Sequence, residues 1–158
     1  MDMKSTAGSC IFTVDVEEYY HAENILNSIS REQLAALPSR VEIGVRILLD
    51  QLATHGSTAT FFVLGCVAEK HPQLIKDIVA AGHEIASHGY AHIPLHKHTP
   101  ASFDEDLGRS ITILSKLAGA KIMGYRATSF SLAPGMGWFF EVLKKHGIVY
   151  DSSLNVSL

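Results

Sequence analysis

The segment GHEIASHGYAH, residues 82–92, joins a short apolar run to two histidines and decides how the chain is interpreted. Its run EIAS predicts a buried strand, and the histidines follow directly after that strand. His88 and His92 are four residues apart, a spacing at which a helix or a tight loop can turn both rings to one side. Two imidazoles and a carboxylate can hold one divalent metal and leave positions open for water. The pattern suggests a hydrolytic metal site, and two unrelated loop histidines are the simpler alternative.

Strand and helix patterns alternate along the whole sequence. Apolar, β-branched runs predict strands, and amphipathic stretches between them predict helices. Strands separated by helices indicate an α/β fold of parallel βα units, in which an active site lies at the carboxyl ends of the strands. The predicted strands cover residues 10–14, 59–64, 84–87 and 121–125, with a fifth beginning at 148–150, and the helices cover 39–56, 72–79, 102–117 and 137–146.

Two serines are assigned to helix starts. Ser39 is predicted to cap the first helix, because serine precedes its first apolar position. The spacing of Ser102 and Glu105 matches a capping box, S-x-x-E, at the start of the third helix.

Length and composition indicate one globular domain, residues 1–158. The formal net charge of −3 provides no basic surface for nucleic acid or for an acidic membrane, and no apolar run approaches the roughly 20 residues of a membrane span. Residues 1–9 lack the apolar stretch of a signal peptide, so we expect a cytoplasmic protein. Cys10 and Cys66 fall in apolar runs outside any CxxC pair, and we expect buried free thiols rather than a disulfide.

An acidic cluster closes the first predicted strand. Asp15, Glu17 and Glu18 follow its apolar and β-branched residues. Side chains alternate along a strand, so Asp15 and Glu17 point the same way and Glu18 points the other. One carboxylate could then bind a metal while its neighbour acts as a base, and Glu18 is the second choice as the ligand. The simpler alternative is a solvated acidic turn.

Polar residues also end the fourth and fifth predicted strands. Arg126 can orient a carboxylate through paired hydrogen bonds and keep it ionised, although a surface arginine is the alternative. Asp151 begins an Asp-Ser-Ser run, which also describes a plain turn or a helix N-cap. Both residues fall at the edge of the sheet where the histidines and the acidic cluster are expected.

Five segments together resemble the polysaccharide deacetylase family, the NodB homology domain of carbohydrate esterase family four. The likeness is greatest to the intracellular branch associated with bacterial exopolysaccharide synthesis. It spans nearly the whole chain, and the combination of SHGYAH, FFVLG and GYRA is specific. The segments are FTVDVEEYYH at residues 12–21, ATFFVLG at 59–65, GHEIASHGYAH at 82–92, GYRATSFSL at 124–132 and YDSSL at 150–154.

The resemblance implies a distorted (β/α) barrel with one divalent metal, most commonly Zn²⁺. It also implies a reaction, the hydrolysis of N-acetyl groups on an amino-sugar substrate. By the resemblance, Asp15 is the general base, His88 and His92 are metal ligands, and Arg126 orients the base.

The chain departs from the family pattern in three places. Val16 stands where most members have a second aspartate, so Glu17 becomes the expected third ligand. Thr128 replaces a proline in the arginine motif. The last family motif, which carries the general-acid histidine, is not found, and His146 precedes the fifth strand on its wrong side. We therefore expect a barrel truncated after about five strands, without its C-terminal βα units and at best weakly active unless completed.

Residues near the expected site are candidates for substrate binding. Tyr19 and Tyr20 can stack on a sugar ring, whereas Trp138 fits the core better. Thr128 and Asp151 can offer polar contacts. Three functions stay open: deacetylation of an amino sugar, hydrolysis of a related amide such as a cyclic imide or a ureide, and a catalytically incomplete fragment that self-associates through an open barrel edge.

Overall fold

The computed structural model describes residues 10–26 and 28–155, which contain one five-stranded parallel sheet. The strands lie in the sheet in the order in which they occur along the chain, and every neighbouring pair is parallel. Helices connect consecutive strands, as expected for βα units. The prediction that residues 1–9 are not a signal peptide concerns a segment outside the described residues. The strands are β1 Thr13–Val16, β2 Thr60–Val63, β3 Glu84–Ser87, β4 Gly124–Tyr125 and β5 Tyr150–Asp151.

Seven α-helices accompany this sheet within the described ranges. The four long ones match the predicted helices, and the three that were missed are six residues or shorter, too short for a periodic pattern. None of the helices in residues 10–26 and 28–155 is long and apolar enough to span a membrane. The helices are α1 Glu23–Leu26, α2 Arg31–Ala36, α3 Val41–Thr54, α4 Gly65–Lys70, α5 Pro72–Ala80, α6 Pro100–Ala118 and α7 Gly137–Lys145.

The predicted caps at Ser39 and Ser102 are wrong. The N-cap of α3 is Arg40, and the Ser39 hydroxyl is directed to a buried carboxylate instead. Helix α6 begins earlier than predicted, with Thr99 as its N-cap. The Thr99 hydroxyl accepts the Ser102 N–H at 3.2 Å, and the Ser102 hydroxyl accepts the Thr99 N–H at 3.0 Å. Pro100 has no N–H and a fixed φ, which suits the first helical position and moves the start of the helix there.

The face of the sheet that meets the helices is apolar. Val16 of β1, Phe61 and Val63 of β2 and Ile85 of β3 are buried in one cluster with residues of α3, α5 and α6. Burying each such side chain contributes roughly 1.5–3 kcal/mol. Because side chains alternate along a strand, the intervening residues must face the other side of the sheet.

The other face of the sheet carries polar side chains that link its strands. The hydroxyls of Thr60 and Tyr150 both donate to the Glu84 carboxylate, at 2.6 and 2.8 Å, and so link β2, β3 and β5. Gly124 makes room for this arrangement, because a Cβ at that position would overlap the Tyr150 ring. These contacts bring side chains of non-adjacent strands together.

A contact across the sheet shows how strongly it curls. Arg126 directly follows β4, yet its Nη1 lies 2.7 Å from Oδ1 of Asp15 on β1. In a flat sheet, strands three positions apart would be separated by about 14 Å. The predicted α/β fold is confirmed, and the sheet has the curvature of a partial barrel.

Strands β1 and β5 are the two edges of this sheet. Apolar side chains beside both edges are exposed: Ile11 and Phe12 near β1 by 86% and 50%, and Val149 and Leu154 near β5 by 67% and 73%. Exposed edges with apolar neighbours favour association. Self-association through these edges stays a prediction.

The prediction of two buried thiols is correct only in part. Both cysteines are free, but Cys10 is exposed and Cys66 is half-buried. Cys10 is exposed because the ladder of β1 begins at Thr13, which pairs with Thr60, rather than at residue 10. Burial raises the pKa of the Cys66 thiol to about 11.

We expect a thiol reagent to modify Cys10 much faster than Cys66 in the folded protein. The thiolate is the reactive form, and at about pH 8 the raised pKa keeps Cys66 protonated. Peptide mass spectrometry after brief alkylation measures each site. The Cys10→Ser variant should then react only after unfolding, and rapid labelling of Cys66 in that folded variant would contradict the prediction.

Candidate metal centre and catalytic carboxylate

Three residues predicted as metal ligands come together at the carboxyl ends of β1 and β3. Glu17 follows β1, and His88 and His92 follow β3. One possible ligand atom from each residue lies within 4.8 Å of the other two. Both histidines are buried and Glu17 is half-buried. The structure places them as a metal site requires, and their role as ligands stays a prediction.

A tight loop, not a helix, brings the two histidines together. The backbone is left-handed at Gly89, with φ of 80°, and at His92, with φ of 55°. The two imidazole centroids are 5.8 Å apart as a result. Left-handed backbone costs a residue other than glycine about 1–3 kcal/mol, and such strain concentrates at functional sites.

His88 is held in the form that a metal needs. Its Nδ1 lies 2.8 Å from the carbonyl oxygen of Arg126, a contact in which Nδ1 donates, so that Nε2 keeps its lone pair. Burial lowers the pKa of His88, against the opposing effects of the Asp15 charge and the Arg126 carbonyl. A neutral imidazole oriented by a backbone carbonyl is the usual state of a metal-binding histidine.

Glu17 and His92 form the other side of the group. Nε2 of His92 is 2.7 Å from Oε2 of Glu17. Burial opposes ionisation of Glu17, but contact with His92 and the charges of His92, His88 and His21 outweigh it and lower the pKa of Glu17 from its ordinary value.

Two buried polar atoms of this group lack hydrogen-bond partners in the part of the chain that the structure describes. The 2.7 Å contact between Nε2 of His92 and Oε2 of Glu17 does not have hydrogen-bond geometry. Within the described residues, Oε2 of Glu17 and Nδ1 of His92 are both buried and have no hydrogen-bond partner. Buried polar atoms without partners are costly, and a cation bound by this group removes part of that cost. Two imidazoles and one carboxylate are also a ligand set of catalytic zinc.

The Asp15 carboxylate lies beside this group and is held by Arg126. Nη1 of Arg126 donates to Oδ1 of Asp15 at 2.7 Å. The guanidinium is itself fixed, because Nη2 donates to the hydroxyls of Thr13 and Ser152 at 3.0 and 2.8 Å. The ring of Phe62 lies 4.1 Å below it. A charge-assisted hydrogen bond from so constrained a donor fixes the orientation of the Asp15 carboxylate.

Glu18, the second choice for the third ligand, points away from the histidines. Its buried carboxylate accepts the Arg40 N–H at 2.9 Å and the Ser39 hydroxyl. The Ser39 hydroxyl also lies 3.1 Å from Nε2 of His71. Glu18 therefore ties the turn after β1 to the start of α3, and Glu17 is the better candidate for the metal.

His21 was not predicted as a site residue. Its ring stacks on that of His92, with centroids 5.6 Å apart and planes 13° apart. Its Nδ1 accepts the Glu18 N–H at 3.2 Å. Burial, followed by the charge of His92, lowers the pKa of His21 to about 4. In the sequence, only its place at the end of segment 12–21 could have marked His21 as a site residue. Its position beside His92 could not be predicted, because it depends on the conformation of the turn after β1.

The two tyrosines predicted to bind substrate have different surroundings. Tyr19 is exposed and lines a cavity of about 380 Å³ together with Asp15 and Glu17. Tyr20 is buried, and its ring packs edge-on against those of Tyr19 and His21. Tyr19 can meet a sugar, whereas the burial of Tyr20 argues against that role.

Thr128 and Asp151 also differ. Thr128 is buried, and its hydroxyl has no hydrogen-bond partner in the part of the chain that the structure describes. The Asp151 carboxylate accepts two hydrogen bonds from Ser153, one from its N–H at 3.2 Å and one from its hydroxyl. The Ser153 hydroxyl in turn accepts the Ala127 N–H at 2.8 Å. Asp151 supports the backbone after Arg126, and the role of Thr128 in substrate binding stays a prediction.

Two further residues lie outside the site, as predicted. Nε2 of His146 is 2.7 Å from Oδ1 of Asp104 on α6. Trp138 packs edge-on against Phe103 in the core, with centroids 5.8 Å apart.

Sequence reasoning missed the hydroxyls that hold the arginine motif. Thr13 and Ser152 bind the Arg126 guanidinium, and Ser153 binds the backbone that follows it. The Asp-Ser-Ser run after β5 was the available signal, but it is equally typical of a plain turn.

Comparison with known proteins identifies the family. A family model described as polysaccharide deacetylase matches residues 44–149, more than half of the chain. The chain belongs to the polysaccharide deacetylase family. The match includes His88, His92 and Arg126 but begins after Asp15 and Glu17. It confirms the family resemblance, while the exopolysaccharide-associated branch stays a prediction.

Relatives of this polysaccharide deacetylase family member are longer than the chain itself. A peptidoglycan deacetylase of Helicobacter pylori is 32% identical over 135 residues, which are 85% of this chain and 43% of that protein. A chitooligosaccharide deacetylase of Sinorhizobium fredii is 53% identical over 45 residues, 28% of this chain and 21% of that protein. A solved structure from Mycobacterium smegmatis, assigned to the polysaccharide deacetylases, is 33% identical to this chain and has a TM-score of 0.75. The matched region is 91% of this chain and 50% of that protein. The chain spans half or less of each of these relatives.

Replacing His88 with alanine should abolish stoichiometric zinc binding, because two remaining ligands hold zinc far more weakly than three. Metal analysis after dialysis against dilute zinc measures the loss. The matched control is His55→Ala, since His55 is exposed at the end of α3. Equal zinc contents in the two variants would show that His88 is not a ligand.

Proposed function

We propose that this chain removes N-acetyl groups from an amino-sugar polymer or oligosaccharide, with one zinc ion bound by Glu17, His88 and His92. The observation that carries the proposal is the Asp15–Arg126 pair beside these three residues. A positioned carboxylate next to a three-ligand metal group is suited to hydrolysing an amide. The names of the relatives, a peptidoglycan deacetylase and a chitooligosaccharide deacetylase, support the substrate class.

Zinc is the proposed ion because two imidazoles and one carboxylate, with further positions open, form a catalytic zinc site. When bound, such an ion polarises an acetyl carbonyl and lowers the pKa of water. The protein's own contribution begins with His88, whose neutral ring is oriented by the Arg126 carbonyl. Glu17 adds the negative charge that favours a cation here.

Asp15 is the proposed general base. Arg126 engages Oδ1 of Asp15, so Oδ2 is the oxygen that we expect to take a proton from the attacking water. Thr13, Ser152 and Phe62 hold the guanidinium, which in turn keeps the carboxylate in one orientation. A base fixed in this way loses little conformational freedom when substrate binds.

The substrate would lie along the cavity beside β1. The exposed ring of Tyr19 can stack on a sugar, and it shares the lining of the cavity with Asp15 and Glu17. Two residues after Arg126, the buried hydroxyl of Thr128 has no partner within the described residues, and we propose that it donates to a substrate oxygen. Both contacts belong to the proposal.

The leaving amine needs a proton that these residues do not supply. His146 is the only histidine after Arg126, and its ring binds Asp104 on α6. We propose that the proton comes from solvent or from a group outside the described residues. A positioned acid at this place is worth roughly 10²–10⁴-fold in rate.

Replacing Asp15 with asparagine should reduce acetate release by roughly 10²–10⁴-fold while zinc stays bound. Asparagine has nearly the same size and can still accept from Arg126, but it cannot take a proton from water. Acetate release from N-acetylglucosamine oligomers and from peptidoglycan measures the effect. The control is Asp50→Asn, on the exposed side of α3, which should retain the wild-type rate.

Two outcomes would contradict the proposal. A zinc-loaded Asp15→Asn variant with the wild-type rate would remove Asp15 from the chemistry. A zinc-loaded wild-type protein that releases no acetate from either substrate would exclude deacetylation by this chain, and turnover of a cyclic imide instead would identify the related amide hydrolase.

A further inference from the structure

We propose that Asp106 on α6 is the positioning residue of the loop that carries His88 and His92, and that metal affinity depends on it. The inference deepens the proposed function, because it concerns the same metal site. Asp106 lies on α6, outside the sheet, and belongs to none of the groups described above. Its carboxylate accepts the Tyr90 N–H at 2.7 Å and the Ala91 N–H at 3.3 Å.

The loop needs such support because it is short and strained. Only three residues separate the two histidines, and the backbone is left-handed at both Gly89 and His92. A loop in this conformation cannot form the internal hydrogen bonds of a helix, so its N–H and C=O groups require partners elsewhere. Unless they find them, the loop can relax to another shape and move His92 away from Glu17.

The carbonyl groups of the loop are bound from one side by the start of α4. The Gly65 N–H donates to the Gly89 carbonyl at 2.9 Å, and the Cys66 N–H donates to the Tyr90 carbonyl at 3.1 Å. Gly65 also permits the close approach, because a Cβ there would lie 2.7 Å from Cδ2 of Tyr90.

The N–H groups of the loop are bound from the other side by α6. Asp106 takes two of them, one on each carboxylate oxygen. The Gly89 N–H donates to the Ser87 hydroxyl at 3.1 Å, which in turn contacts the Ser110 hydroxyl at 2.9 Å, one turn along α6. The backbone of the loop is therefore held between two helices. The Tyr90 side chain adds a contact to each, because its hydroxyl donates to Glu69 on α4 at 2.8 Å and its ring lies 3.7 Å from the Arg109 guanidinium on α6.

A carboxylate is the group best suited to this place. Two N–H groups from adjacent residues point at one side chain, and only an ionised carboxylate offers two oxygens that both accept. An asparagine would offer one oxygen and turn its NH₂ group toward the second N–H. Gly89 completes the fit, since a Cβ on this residue would come within 3.0 Å of Oδ2 of Asp106.

The experiment compares Asp106→Asn with Glu105→Gln, which removes the same charge from the exposed neighbouring position on α6. Zinc affinity is measured by competition with a chelator, at a temperature at which thermal unfolding shows each protein to be folded. Removing an outer-shell support of metal ligands typically costs 10–100-fold in affinity. We expect about that loss in Asp106→Asn and an unchanged affinity in Glu105→Gln.

A second readout needs no metal. Hydrogen exchange of the metal-free protein reports the amides of Tyr90 and Ala91, which should lose protection in Asp106→Asn and keep it in Glu105→Gln. A purely stabilising role of Asp106 in α6 would lower the unfolding temperature without this local change. If Asp106→Asn does not fold, Asp106→Ser, which offers one acceptor on a shorter side chain, takes its place with the same expectation.

Two results overturn different statements. If Asp106→Asn binds zinc as tightly as Glu105→Gln and the amides of Tyr90 and Ala91 stay protected in it, Asp106 is not a positioning residue. If even the wild-type protein binds no zinc, the metal site of the proposed function is wrong, and the exchange of the loop amides alone decides whether Asp106 holds the loop.

Discussion

The fold and the proposed site depend on one interaction, that of the Arg126 guanidinium with Asp15. The two residues lie on β1 and just after β4, and the curl of the sheet brings them into their 2.7 Å contact. Phe62 on β2 and Ser152 just after β5 hold the guanidinium. The backbone carbonyl of the same arginine orients His88. Arg126 thus sets the geometry of both the candidate base and a candidate metal ligand, and α6 fixes the histidine loop from outside.

Much of the site could be predicted from the sequence because parallel strands bring their carboxyl ends to one edge. Asp15, His88 and Arg126 each follow an apolar run, and this placement alone predicted that they would meet. Alternation of side chains, continued past the end of β1 at Val16, also separated Glu17 from Glu18, since the Glu18 carboxylate faces the start of α3. Periodicity therefore predicted the residues that directly follow the strands.

The features that could not be predicted depend on contacts between distant parts of the chain. Asp106 meets a loop 15 residues before it, and no local pattern marks an aspartate on a helix as its partner. The exposure of Cys10 follows from the register of β1 with β2, which the sequence of β1 does not contain. At the start of α6, Thr99 and Ser102 both match a capping pattern, and only the place of Pro100 distinguishes them. The local sequence was therefore compatible with either residue as the N-cap of α6.

Anomalous X-ray diffraction from zinc-soaked crystals, recorded on both sides of the zinc absorption edge, tests most directly whether this site is a metal centre. The expected result is one zinc peak bonded to Glu17, His88 and His92 at about 2.0–2.2 Å, with Asp15 next to it and still held by Arg126. A fully soaked crystal without a peak among these three residues, or with zinc bound only elsewhere, would contradict the proposed metal centre and the hydrolytic mechanism built on it.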